Sequence, residues 1–154
     1  MNITIRPALE TEIDTLLEFE KGIIEAERPF DPTLKEGTIH YYDLLSLIRS
    51  SEAEVVVALA DDEVVGSGFA QIKEADPFLQ HTHFVYLGFM FVKPDFRGKG
   101  INQKILNTLM DWAHAKNISE VRLDVYDENT VAKKAYVKAG FKPHLLEMRI
   151  DIGN

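Results

Sequence analysis

Cysteine is absent from the chain. Its absence removes disulfides, thiolate metal sites and any cysteine nucleophile that would carry an acyl group as an enzyme thioester. No apolar run reaches the roughly 18 residues of a membrane helix. The opening Met1-Asn2-Ile3-Thr4-Ile5-Arg6 lacks the charged-then-apolar layout of a signal peptide. The expected compartment is therefore the cytoplasm, with no membrane partner. Basic residues are scarce relative to acidic ones: 17 Lys and Arg stand against 25 Asp and Glu, a net charge of −8. Such a field repels nucleic-acid phosphates and attracts cations, so an amine partner suits it better than DNA or RNA. No Pro-, Gly- or Ser-rich stretch marks a linker. With 154 residues, 45% of them apolar, residues 1–154 read as a single domain able to bury a core.

Hydrophobic periodicity outlines a mixed α/β chain. Ile3 to Pro7 alternates and meets a proline, as a short strand does. Ile13, Leu16, Leu17, Ile23 and Ile24 recur at helical spacing and predict a first helix over about Leu9 to Ala26. The prolines at 29 and 32 stop it. Tyr41, Leu44, Leu45 and Ile48 predict a short second helix ending near Ser50. Glu54 to Ala60 and Val64 to Ile72 read as a hairpin around Asp61-Asp62-Glu63. His83 to Val92, aromatic and branched with Gly88 inside, reads as a buried strand with a bulge or a close backbone approach. Ile101, Ile105, Leu109 and Trp112 predict a helix to about Lys116. Val121, Leu123 and Val125 alternate with Arg122, Asp124 and Tyr126 as another strand. Asp127 or Asn129 can cap a helix that stops at Gly140, and Phe141 to Ile152 offers one or two closing strands.

The segment joining the buried strand to the long helix is Lys93-Pro94-Asp95-Phe96-Arg97-Gly98-Lys99-Gly100. Two glycines at a helix start let backbone amides converge where the positive end of the helix dipole lies, a phosphate-binding arrangement. Arg97 and Lys99 add local positive charge. The spacing is not that of the triphosphate loop Gly-x-x-x-x-Gly-Lys-Ser/Thr. It also departs from the dinucleotide fingerprint, because Gln103 stands where the third glycine belongs.

Arg97, two residues, Gly100, one residue and Asn102 resembles the coenzyme-A motif of the GNAT family of N-acetyltransferases, with Asn102 in the place usually held by Gly or Ala. Ile3 to Ala8 resembles the family's first strand. Asn129-Thr130-Val131-Ala132 followed by Ala135-Tyr136-Val137-Lys138-Ala139-Gly140-Phe141 resembles its second cofactor segment. The resemblance spans nearly the whole chain and is strongest from Tyr86 to Phe141. It implies a mixed, mostly antiparallel central sheet of six to seven strands flanked by about four helices. It also implies acetyl-CoA as co-substrate, held by Met90, Phe91 and Val92 on the strand, by Arg97, Gly98, Lys99, Gly100, Ile101, Asn102 and Gln103 at the loop, and by Asn129 and Lys133. Asn129 also fits a plain helix cap. An amine acceptor is the implied partner, and a homodimer is compatible with this reading.

With no cysteine, direct attack of the amine on the thioester in a ternary complex is the simplest transfer. It needs a neutral amine, a site for the charged carbonyl oxygen and a proton for the leaving thiolate. The resemblance makes Tyr136 the acid for the thiolate, against a packing role for the same ring. It places Tyr86, eleven residues before Arg97, where some relatives carry a glutamate. A phenol of reference pKa about 10 is a poor base, so the expectation there is a water held by Tyr86 and an acidic neighbour. Glu25, Glu27 and Asp31 are candidates to attract a cation or simply form a solvated acidic face. His40-Tyr41-Tyr42 either lines the acceptor pocket or serves structure. His81 and His83 lack a third ligand at matching spacing, so no metal is expected. A non-catalytic acetyl-CoA or CoA sensor on the same fold is the competing reading. A nucleic-acid patch of Arg97, Lys99, Lys104 and Trp112 is disfavoured by the net charge.

Overall fold

The computed structural model describes residues 1–153, which fall into two compact units, Met1–Asp124 and the residues from Val125 onward. In the first unit, the strands β1 (Ile3–Pro7), β2 (Ala53–Ala60), β3 (Glu63–Glu74), β4 (His83–Val92) and β5 (Val121–Arg122) form one sheet in the order β1-β2-β3-β4-β5. The first four pair antiparallel and β5 runs parallel to β4. A parallel neighbour needs a crossover, and helix α3 (Ile101–Ala115) supplies it. This is the expected mixed, mostly antiparallel sheet, with five strands in place of six to seven.

Helix α1 (Ile13–Glu27) buries Leu16, Phe19, Glu20, Ile23 and Ile24, the stripe that helical spacing dictates. It is shorter at its start than the sequence predicts. Leu9 opens a separate 3-10 turn, because the Glu12 carboxylate accepts from the Leu9 amide at 2.8 Å and from both Arg6 terminal nitrogens at 2.9 and 2.8 Å. Helix α2 spans only Leu44–Arg49 and is capped by Asp43, whose side chain accepts from the Ser46 amide. Tyr41 therefore lies in the loop before α2, not on its apolar face. Strand β5 ends at Arg122, four residues earlier than its alternation suggests.

Among its described residues the second unit holds one helix, α4 (Thr130–Lys138), capped by the Asn129 side chain. Residues 141–153 form no strand. Alternating Met148, Ile150 and Ile152 is only half of what a strand needs, because a ladder requires partner amides and carbonyls, and this unit contains no second strand.

The sheet of the first unit is covered on both faces. Ala53, Val55 and Val57 of β2 join Leu16, Phe19, Ile23, Leu44, Leu47, Phe69 and Phe89 in one cluster under α1 and α2. Helix α3 packs on β2, β3 and β4 through buried Ile101, Ile105, Leu106, Leu109 and Ala113. Leu109 is fully buried. Leu109→Ala should lower unfolding free energy by about 2–5 kcal/mol, the range for a leucine cavity, read as a lower urea midpoint at unchanged slope. Among the described residues, no helix is long and apolar enough to cross a membrane.

Candidate active site

The site begins with a defect in β4. Ser67 pairs with Phe91 and Phe69 with Gly88, so Phe89 and Met90 together oppose the single residue Gly68. Phe89 takes the extra length at φ 59°, a left-handed conformation that costs a branched or bulky residue about 1–2 kcal/mol. Its surroundings hold it there. The Phe89 ring is 1% exposed, its carbonyl accepts from buried Ser67 Oγ at 3.0 Å, and its amide donates to the Tyr42 hydroxyl at 3.3 Å. Gly88 itself serves close approach, since a Cβ there would stand 2.6 Å from Phe69 Cζ. Both readings of the glycine-containing strand are met, the close approach at Gly88 and the bulge at the residue after it.

The bulge changes which residues face the outer edge. Ahead of it the Val85 amide donates toward β5, to Glu120 at 2.9 Å, and β4–β5 pairing ends at Tyr86 and Arg122. Beyond it Lys93 donates to Val65 of β3 at 2.8 Å, and Phe91 pairs with Ser67. Alternation then turns Met90 and Val92 outward, and Arg97 Nε does meet the Val92 carbonyl there, at 2.9 Å. From Leu87 onward this edge has no strand partner in the sheet, so the outward amides form a ladder half open to an extended ligand.

This edge runs into the glycine loop. Gly98 and Gly100 adopt φ 75° and 79°, and Gly100 is the residue on which α3 starts, with no side chain capping it. The first-turn amides of Ile101, Asn102 and Gln103 have no intrahelical acceptor by the geometry of a helix start. Added Cβ atoms at Gly98 and Gly100 would meet nothing within 4 Å. The loop thus borders open space, with main-chain donors at the positive end of a 15-residue helix. A diphosphate fits those donors, and a pantetheine-like arm fits the open β4 edge. Arg97 lies with its guanidinium 5.8 Å from the Phe91 ring centre, Lys99 reaches over Phe96, and Gln103 donates to Asn107.

Asn129, Lys133 and Tyr136 belong to the second unit. Their i, i+4, i+7 spacing puts them on one face of α4. Asn129 accepts from the Ala132 amide at 3.2 Å, the cap geometry, while Lys133 Nζ bonds the Asp127 carboxylate at 3.0 Å and its carbonyl at 3.2 Å. The Tyr136 ring packs edge-on against Phe141 at 5.9 Å.

Tyr86 donates its hydroxyl to Asp124 Oδ2 at 3.0 Å. Burial first, and then the Asp124 carboxylate, push the phenol far above its ordinary value, so it stays protonated and is no base. Asp124 is the acidic neighbour expected beside it. Of the three acids that are candidates to attract a cation, Glu25 pairs with Arg28 at 3.1 Å and Asp31 accepts from the Thr33 amide and hydroxyl. Glu27 differs: burial raises its carboxyl above the usual range, partly offset by a hydrogen bond from Tyr41. His81 and His83 are engaged separately, His81 with Arg122 at 2.9 Å and His83 with Thr82 at 3.0 Å.

Sequence reasoning missed Glu20, Ser67 and Asp124, and raised Tyr42 only within His40-Tyr41-Tyr42, as lining the acceptor pocket or serving structure. Only Glu20 left a signal, an acid standing inside the apolar stripe of α1.

The sequence model of the acetyltransferase (GNAT) family matches residues 18–141. An aminoglycoside N(6')-acetyltransferase type 1 of Salmonella enteritidis is 25% identical over 129 residues, covering 83% of this chain and 86% of the relative. A thialysine N-epsilon-acetyltransferase of Bos taurus is 39% identical over 56 residues, 36% of this chain and 33% of its own length. A predicted acetyltransferase of Clostridium acetobutylicum, solved with acetyl-CoA, superposes with a TM-score of 0.75 at 17% identity, covering 98% of this chain and 97% of that one. With an open strand edge leading into a glycine-floored helix start, and with a family match over most of its length, the chain belongs to the acetyltransferase (GNAT) family and is an acetyl-CoA-dependent N-acetyltransferase.

Proposed function

We propose that the chain transfers the acetyl group to a primary amine of a small molecule or peptide by direct attack, with both substrates bound together. The observation that carries this reading is the continuity of the outward β4 amides with the open amide cradle at Gly98–Gln103. Acetyl-CoA supplies an activated acyl group as a thioester. In the transfer one N–C bond forms as the C–S bond breaks, while one proton leaves the nitrogen and one reaches the sulfur.

The residues divide these tasks. Outward main-chain amides at Met90 and Val92 bind the donor arm and offer hydrogen bonds to a carbonyl oxygen gaining charge. Amides from Gly98 to Gln103, with Arg97 and Lys99 beside them, hold the diphosphate. Tyr136 gives its hydroxyl proton to the thiolate. Tyr86 and Asp124, joined by their hydrogen bond, hold a water that first takes a proton from the bound ammonium, giving the neutral amine that attacks. Glu27 and the net charge of −8 draw that cation in. The amine class is supported by the relatives, one named for an aminoglycoside and the other for a lysine analogue.

Incubation with acetyl-CoA and a panel of polyamines, aminoglycosides, amino acids and peptides should release free thiol in an amine-dependent manner above background hydrolysis. Intact acetyl-CoA binding with no amine-dependent thiol across the panel would overturn the transfer reading in favour of a sensor.

A further inference from the structure

Helix α1 carries a carboxyl group where its stripe should be apolar. Glu20 is 1% exposed, flanked along the stripe by Leu16, Phe19, Ile23 and Ile24. A buried acid is tolerated only when it is well supplied with donors, and Glu20 is. Its Oε2 accepts from the main-chain amides of Tyr41 and Tyr42, each at 3.0 Å, and its Oε1 lies 2.7 Å from His40 Nδ1. All three partners are consecutive residues at the end of the loop between α1 and α2. The same helix end grips the loop a second time, through Arg28, which donates to the Lys35 and Gly37 carbonyls at 2.8 and 2.7 Å.

What Glu20 fixes is the position of Tyr42. That ring packs edge-on against Phe69 at 5.2 Å and at a steep tilt against Phe89 at 5.5 Å. Its hydroxyl accepts from the amide of Phe89, the left-handed residue of the bulge. Without that acceptor the bulge loses one of the contacts that offset its left-handed residue, and a regular strand becomes more favourable. A regular strand would return Met90 and Val92 to the opposite edge, since a one-residue change of register reverses every amide that follows.

We infer that Glu20 and Tyr42 are positioning residues: Glu20 holds the Tyr41–Tyr42 backbone, and the Tyr42 hydroxyl holds the Phe89 bulge that aims the Met90 and Val92 amides at the acyl donor. The inference rests on the proposed role of those two amides. It ties the loop between α1 and α2 to the strand edge proposed to bind the donor, so that disorder in the first degrades the geometry of the second.

Tyr42→Phe removes one hydroxyl and keeps the ring. Amide hydrogen exchange followed by NMR should show the Phe89 amide opening roughly tenfold faster, as expected for loss of one hydrogen bond, with core amides of α3 unchanged. With the best amine from the panel, turnover should fall by a similar factor while the acetyl-CoA dissociation constant moves less than about twofold. Glu20→Gln, which keeps one acceptor oxygen before the two amides, should fall between wild type and Glu20→Ala in both readouts; if the alanine variant does not fold, Tyr42→Phe carries the test. Wild-type exchange at Phe89 in Tyr42→Phe would overturn the inference, as would faster exchange with unaltered turnover. If the wild-type protein acetylates no amine, the transfer reading fails by itself, and the Phe89 exchange rate still decides whether Tyr42 holds the bulge.

Discussion

Gly100→Val should raise the acetyl-CoA dissociation constant by roughly 100-fold, with the melting temperature little changed. Two effects add. The backbone at position 100 sits at φ 79°, where a β-branched residue is strained by about 1–2 kcal/mol, close to a factor of ten in any equilibrium that requires that conformation. A Cβ at position 100 would meet nothing within 4 Å, so the added side chain would occupy open space at the start of α3, where the diphosphate is proposed to rest. A diphosphate resting there and a valine cannot share that space. Because the loop is exposed and packs against nothing at this point, the cost falls on binding and not on the core. Isothermal titration gives the constant directly. Gly100→Ala separates the two effects, having the strain with less bulk, and should fall between the two proteins. An unaltered constant in Gly100→Val would remove the cradle from the account of donor binding.

Tyr136→Phe should reduce turnover by roughly 100- to 10,000-fold, the usual contribution of a positioned general acid, with acetyl-CoA affinity within about twofold of wild type. The substitution deletes only the phenolic oxygen. The ring and its edge-on contact with Phe141 at 5.9 Å are retained, so α4 keeps its packing within its own unit. A thiolate expelled without a proton is the poorer leaving group, and the loss should appear in the chemical step. Single-turnover measurement isolates that step from product release. Equal single-turnover rates in the two proteins would show that the hydroxyl takes no part in the chemistry and that Tyr136 serves packing alone.

How far the site was legible from the chain itself differs residue by residue. The run His83 to Val92 is so rich in branched and aromatic residues that strand β4 follows from composition, with both ends as observed. Gly98 and Gly100 before the periodic Ile101, Ile105 and Leu109 likewise mark a glycine loop opening a helix. Tyr41 misled, because its spacing from Leu44 and Ile48 is helical although Asp43 caps the helix after it. The closing strands were over-read from alternation in Phe141 to Ile152, since periodicity records which side chains would share a face and says nothing of whether a partner edge is present. Tyr42 stood out only within His40-Tyr41-Tyr42, as lining the acceptor pocket or serving structure, and Ser67 left no trace. Their roles depend on meeting Phe89 from 47 and 22 residues away, and no local pattern encodes a meeting.

Local sequence by itself determined the strand–loop–helix unit from His83 to Ala115 and the absence of any cysteine chemistry, because propensity, glycine placement and residue type act over a few neighbouring positions. Tertiary structure alone decided which way the β4 amides face. That direction turns on one left-handed phenylalanine, held by a serine from β3 and a tyrosine whose backbone a buried glutamate secures. A strained conformation of this kind persists only when contacts distant in the chain outweigh its cost, and those contacts exist only once the chain has folded.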